Sequence, residues 1–206
     1  MKRFNLLDKV LNISAERYFK TAGDLFVYEG EYEPALAMVE KTLALEPDNV
    51  RALVLKGDIL FCLNRDLDAL RVLNHALAQN AKYAEAYISK AGILDVMGKY
   101  RDALHCCNKA MSFIHPGNRH LMTALIDQKL VLLLKLKKCQ EAKTVLNDAA
   151  SQLTPEDFRY IHSSYAPMIQ QFCQVREHLR NKANHLSLRV IQGNKGVTET
   201  ALHETP

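Results

Sequence analysis

Ala35, Ala69 and Ala103 recur at one fixed interval, and Ala142 follows after a slightly longer one. A second ladder with the same step runs Gly23, Gly57, Ala91. Two similar stretches begin at Gly30 ("GEYEPALAMVEKTLALEPDN") and Gly98 ("GKYRDALHCCNKAMSFIHPGN"), two such steps apart, with Asn64 midway. Pro47 answers to Ala81 and then to His115–Pro116, and Pro155 closes a fourth unit. A fixed interval of about 34 residues marks a repeat architecture, in which one unit buries its apolar face only against the next. No local pattern in the chain constrains its fold as much.

The interval is filled with helix-forming residues. With 8 Gly and 6 Pro in 206 residues, no Trp and few runs of Val, Ile or Thr, a turn-rich β architecture has little to build on. The expectation is an all-α protein. Its N-terminal apolar run is broken by Asp8, Lys9 and Asn12, so it is no signal-peptide core. The longest apolar stretch, "LVLLL" at 130–134, is far short of a membrane span. These features predict a cytoplasmic protein with no membrane contact. Five cysteines (Cys62, Cys106, Cys107, Cys139, Cys173), odd in number and without a CxxC pair, read as reduced, packed thiols.

The phased units resemble tetratricopeptide repeats, pairs of antiparallel helices with a period of about 34 residues. That family has small residues in the eighth, twentieth and twenty-seventh places. The unit 16–49 has Gly23, Ala35 and Thr42 there, with Phe19, Phe26 and Tyr32 beside them. The unit 50–83 has Gly57, Ala69 and Ala76; the unit 84–117 has Ala91, Ala103 and Ala110. The fourth, 123–156, keeps Ala142 and Ala149 but places Leu130 where the first small residue belongs. The resemblance implies a right-handed α-solenoid with a C-terminal capping helix. Small side chains let paired helices approach, so Gly23 is expected to face Ala35, and Gly57 to face Ala69. The extra residues 118–122 lengthen the first helix of the fourth unit to about 118–137, and Leu130 loosens that hairpin.

The ends are expected to cap the stack. Residues 1–15 form an N-terminal capping segment, with Phe4, Leu7, Val10 and Leu11 on one face. Residues 157–192 form C-terminal capping helices: "TPED" starts a short helix reaching Tyr165, and Pro167 opens a longer one. The capping stripe of that helix is Met168, Phe172, Val175, Leu179, Ala183, Leu186 and Val190. Residues 193–206 have no apolar periodicity and read as a flexible tail. Arg176, Arg180, Lys182, Arg189 and Lys195 against Glu177 make this end the basic element of the chain. Either it presents a solvated face or it contacts an acidic or nucleic-acid partner. No aromatic residues are interleaved with these charges, so nucleic acid is not the expected partner.

Catalytic and metal chemistry find no constellation. No HExxH, CxxC pair, Gly-rich phosphate loop or GxSxG motif is present. Neighbouring residues in "HCC" at 105–107 point in different directions on a helix, and Cys107 falls in a core place. The chain is therefore expected to be no enzyme and to need no cofactor or metal. Its expected role is binding another protein, through a helical or extended segment, as an adaptor, scaffold or chaperone-like module.

In the family, the first helix of each unit lines a concave groove that holds such a segment. Carried onto this sequence, the lining is Arg17, Lys20, Asp24 and Tyr28 from the first unit, with Arg51, Leu55, Asp58 and Phe61 from the second. Ile88, Ser89 and Asp95 come from the third, and Asp127, Gln128 and Val131 from the fourth. The same lining takes in Thr21, Val27, Val54, Cys62, Glu85, Gly92, Val96 and Leu134. Repeat proteins that clamp the acidic tails of heat-shock chaperones use Lys and Asn residues. Lys20 matches one of these places, but Asp24, Leu55, Glu85 and Ser89 occupy the others. Two acidic residues there would repel a carboxylate, so the clamp is not expected.

Overall fold

The computed structural model describes residues 6–115 and 117–200, with side chains over 13–115 and 117–177. It divides into two compact units, 1–136 and 137–206. Among the described residues the secondary structure is helical throughout, with no strand.

In the first unit, α1 (Leu6–Asp24) runs into a π-helical turn, Leu25–Glu29. Then follow α2 (Tyr32–Leu45), α3 (Val50–Cys62), α4 (Asp66–Gln79), α5 (Ala84–Val96), α6 (Tyr100–Phe113) and α7 (Arg119–Lys135). α1 pairs with α2, α3 with α4 and α5 with α6, and each pair packs on the next to make a helical solenoid. On its inner side α3 neighbours α5, and α5 neighbours α7.

The turns within the hairpins repeat as the ladder does. Gly30 (φ 69°), Asn64 (φ 59°) and Gly98 (φ 73°) adopt the left-handed conformation that closes a helix C-terminus, and Lys137 (φ 56°), just before α8 (Cys139–Gln152), adopts it as well. Glycine and asparagine tolerate it; lysine does so at a cost. In the second and third hairpins the residue after the turn sends its amide back onto the helix just ended: Arg65 to Leu60 O (2.9 Å) and Lys99 to Leu94 O (2.8 Å). In the first hairpin the bond reaches one residue further, from Glu31 to Leu25 O (3.0 Å). The π turn accounts for it by absorbing an extra residue.

That extra residue corrects one expectation. Gly23 does not touch α2: a Cβ added there meets nothing within 4 Å. Ala22, fully buried, takes the place instead, because residues before the π turn are shifted by one. In the second hairpin Gly57 is the close contact, and the atoms nearest to a Cβ there belong to Leu73, one turn beyond Ala69. The other two small places hold throughout. Ala35, Ala69, Ala103 and Ala142, and likewise Thr42, Ala76, Ala110 and Ala149, have no exposed surface. Thr42 hydrogen-bonds its hydroxyl to the carbonyls of Met38 (3.3 Å) and Ala15 (3.4 Å), which satisfies the polar atom inside the core.

α7 is the lengthened helix, capped by the Asn118 side chain, which accepts from Leu121 N (3.4 Å). The unit boundary falls directly after it, inside the span expected as the fourth repeat.

The second unit contains α8 (Cys139–Gln152) and α9 (Pro155–Thr200), packed together. Thr154 caps α9, accepting from Asp157 N (3.1 Å) and donating to the Asp157 carboxylate (2.8 Å). Three expectations change here. Pro167 does not open a second helix but lies inside α9. Ile161, Tyr165 and Ile169, spaced one turn apart across the proline, are all buried. Burying that stripe offsets the hydrogen bond the proline removes. The expected capping stripe is the open one: Met168, Phe172 and Val175 are 42%, 45% and 53% exposed. The helix continues past Gln192 to Thr200, so the expected start of the tail lies inside it. Phe4 lies outside the described residues, as do the side chains of Leu7, Val10, Leu11, Leu179, Ala183, Leu186 and Val190.

Candidate functional site

On the inner side of the first unit a hollow of about 330 Å³ opens between α1, α3, α5 and the start of α7. Seven of the expected groove residues meet there: Arg51, Val54, Leu55 and Asp58 from α3, with Glu85, Ile88 and Ser89 from α5. Steps of one helical turn put Arg51, Leu55 and Asp58 on one face of α3, and α5 repeats the pattern with Glu85, Ile88 and Ser89. Phe19, Tyr83 and Leu121 line the same hollow, and the groove pattern does not include them. Tyr83 immediately precedes α5 and Leu121 lies in the first turn of α7, so both belong to helix entries and not to the repeating stripe.

Arg51, Asp58 and Ser89 are held by neighbours. The Arg51 guanidinium lies 4.4 Å from the Phe19 ring centroid and 3.6 Å from the Glu16 carboxylate, so α1 fixes it from two sides. Ser89 hydrogen-bonds to the Asp58 carboxylate across the α3–α5 interface. Burial pushes Asp58 up to about 6, more than the Ser89 bond lowers it. Burial and then the neighbouring Glu85 raise the Tyr83 hydroxyl. The result is an apolar slot of Phe19, Val54, Leu55, Tyr83, Ile88 and Leu121. It carries one cation at its edge and two acidic groups on its walls.

The remaining expected residues lie outside this hollow. Arg17 and Lys20 are exposed on α1, Asp24 ends α1 half-buried, and Tyr28 in the π turn is 82% exposed. Phe61 packs against the core. Asp95 is engaged by Lys135, whose Nζ lies 2.6 Å from its carboxylate and 5.3 Å from the Tyr100 ring centroid. Gln128 accepts from the Cys107 thiol (3.6 Å). Asp127 and Val131 are half-buried on α7. Burial pushes Cys107 up to about 12, consistent with packing and not with a nucleophile.

A second, polar hollow lies on α2, α3 and α4, but its charges are already paired. Lys56 bonds Glu40 (2.9 Å), and both Arg65 and Arg71 bond Asp68. The bonds from Arg71 and then Arg65 hold Asp68 below the usual carboxylate range. Of the basic group near the C-terminus, Arg176 donates to the Lys137 carbonyl (3.0 Å). The side chains of Arg180, Lys182, Arg189 and Lys195 lie outside the described residues. No helix among the described residues is long and apolar enough to cross a membrane.

No family model matches the chain. It is 25% identical over 153 residues to a DnaJ homolog subfamily C member 7 homolog of Schizosaccharomyces pombe. That match takes in 68% of this chain but only 30% of the relative, so the chain spans less than a third of the curated relative's length. Two solved structures resemble it in fold. The first repeat domain of Spaghetti (RPAP3), bound to the HSP90 peptide SRMEEVD, has 19% identity and a TM-score of 0.53. The likeness covers 60% of this chain and 93% of that one. The Yersinia enterocolitica type III secretion chaperone SycD, in complex with a peptide of the translocator YopD, has 17% identity and a TM-score of 0.53. There the coverage is 58% and 92%. The ladder of small residues, the stacked hairpins and these likenesses agree: the chain is a protein of the tetratricopeptide-repeat fold.

Proposed function

We propose that the inner face of the first unit binds a short segment of another protein, without catalysis, and that the chain is an adaptor or chaperone-like module. The observation that carries this reading is the hollow itself. Residues from four helices converge on an apolar slot of about 330 Å³, room for one or two large apolar side chains. The fold-level likeness to two peptide-bound repeat proteins supports it.

The charges narrow the ligand. Asp58 and Glu85 stand on the walls, while the single cation, Arg51, is already opposed by Glu16. An acidic tail would leave its carboxylates facing carboxylates. A segment with a large apolar anchor flanked by Lys or Arg is complementary to the slot.

A displayed random-peptide library selected on the purified chain tests this. The expected outcome is enrichment of apolar anchors with adjacent basic residues, and loss of that binding in Ile88→Asp with helicity unchanged. Selection of acidic peptides, or binding that survives Ile88→Asp, would place the site elsewhere. Binding through the basic C-terminal helix, the other reading, predicts a steep loss of affinity with salt, whereas binding through apolar contacts in the slot does not.

A further inference from the structure

Three groups converge in the second unit that the binding face does not use. Cys139 is the first residue of α8. The amides of a first helical turn lack intrahelical partners and place positive charge at that end, and Lys138 before it offers no side-chain cap. On α9, Cys173 and Arg176 are one turn apart and share a face. The Cys173 thiol hydrogen-bonds to the Cys139 sulfur, and the Arg176 guanidinium bonds it as well. Arg176 is held in place by its bond to the Lys137 carbonyl (3.0 Å). Cys139 is buried and Cys173 half-buried. A cleft of about 620 Å³, bordered also by Gln140 and Glu177, opens beside them and admits small molecules.

The electrostatics separate the two sulfurs. Burial pushes the Cys139 thiol up, but the bonds from Cys173 and Arg176, with the Arg176 charge, bring it below the ordinary thiol value. Cys173 is pushed the other way by burial and by its bond to and charge from Cys139, with Lys143 and Arg176 opposing weakly. Among the five cysteines Cys139 alone is shifted down. Cys62, Cys106 and Cys107 are all raised, burial being the main cause.

We propose that Cys139 and Cys173 form a peroxide-oxidisable dithiol, with Cys139 as nucleophile and Cys173 as resolving thiol, so that oxidation staples α8 to α9. The Cys139 thiolate attacks one oxygen of a hydroperoxide; the O–O bond breaks and Cys139 becomes a sulfenic acid, releasing hydroxide or alkoxide. Cys173 then attacks the sulfenic sulfur. An S–S bond forms, the S–O bond breaks, and the Cys173 proton leaves with the hydroxyl as water. A dithiol reductant restores both thiols by exchange. Arg176 is a positioning residue that stabilises the thiolate.

The test uses the full chain and hydrogen peroxide, followed by tryptic digestion and mass spectrometry. Peptides 139–143 and 160–176 should be recovered as one linked species that dithiothreitol separates. In Cys173→Ser, dimedone should trap a sulfenic acid at Cys139; in Cys139→Ser, Cys173 should stay unlabelled. Arg176→Met should oxidise more slowly than wild type at neutral pH and equally fast at alkaline pH, where the thiol ionises without help. Failure to find the linked species in the wild-type chain, which needs no variant to fold, overturns the proposal. So does oxidation of the exposed Cys62 ahead of Cys139, or a rate in Arg176→Met unchanged at neutral pH.

Discussion

A Cβ placed on Gly57 would lie 2.8 Å from Cγ of Leu73, closer than real side chains approach. Leu73 has no exposed surface, so it has little room to give. Gly57→Ala should therefore destabilise by about 1–3 kcal/mol through overpacking, and Gly57→Leu by more. Gly23→Ala has open space and a helical position. It should be neutral or stabilising by about 0.5–1 kcal/mol. Urea titrations of the three variants decide the matter; equal effects at both glycines would contradict the one-residue shift caused by the π turn.

Asp58 gives stability a pH dependence opposite to that of a salt-bridged carboxylate. Its value in the folded chain is raised to about 6 from an ordinary 3.8, so between those limits the folded state binds more protons than the unfolded one. Stability contributed by protonated Asp58 is fully present below 3.8 and is lost as pH rises through about 6. The ceiling is about 3 kcal/mol, less for a group bordering an open hollow. Asp58→Asn should remove this slope and exceed wild type in stability at pH 7. Parallel pH–stability curves for the two proteins would show that Asp58 titrates normally.

The two apolar stripes of α9 should differ sharply in mutational cost. Ile161→Ala empties a buried site and is expected to cost about 2–5 kcal/mol. Phe172→Ala, at a residue 45% exposed, should cost under about 1 kcal/mol despite the larger deletion. Thermal melts followed by circular dichroism compare them. The reverse order would restore the Met168–Phe172–Val175 stripe as the packed one.

Pro167 interrupts the hydrogen bonding of a helix that continues through it. Replacing it with alanine restores an amide donor and removes a clash, so Pro167→Ala should stabilise α9 by up to about 3 kcal/mol and raise helicity slightly. If the chain instead turned at Ala166, the same substitution would destabilise it or change nothing. Hydrogen exchange at residues 163–171 distinguishes a continuous helix from two.

Much of this architecture is written along the chain. The repeat interval marks the units and phases the buried places of Ala35, Ala69, Ala103 and Ala142, and the resemblance it carries implies the helix pairs and the residues of α3 and α5 that line the hollow. Such features are legible because each depends on spacing within one helix, and spacing decides which side chains share a face. What meets that face is another matter. A single added residue in the π turn moves Ala22 into the place that spacing assigns to Gly23. On α9 two stripes are comparably apolar, and only packing against α8 chooses Ile161, Tyr165 and Ile169. Phe19, Tyr83 and Leu121 join the hollow from α1, from the entry to α5 and from the first turn of α7. Cys139 and Cys173, far apart along the chain, meet only because α9 folds back along α8. Periodicity is a property of one helix; contact is a property of two, and its register is set by packing that no single segment encodes.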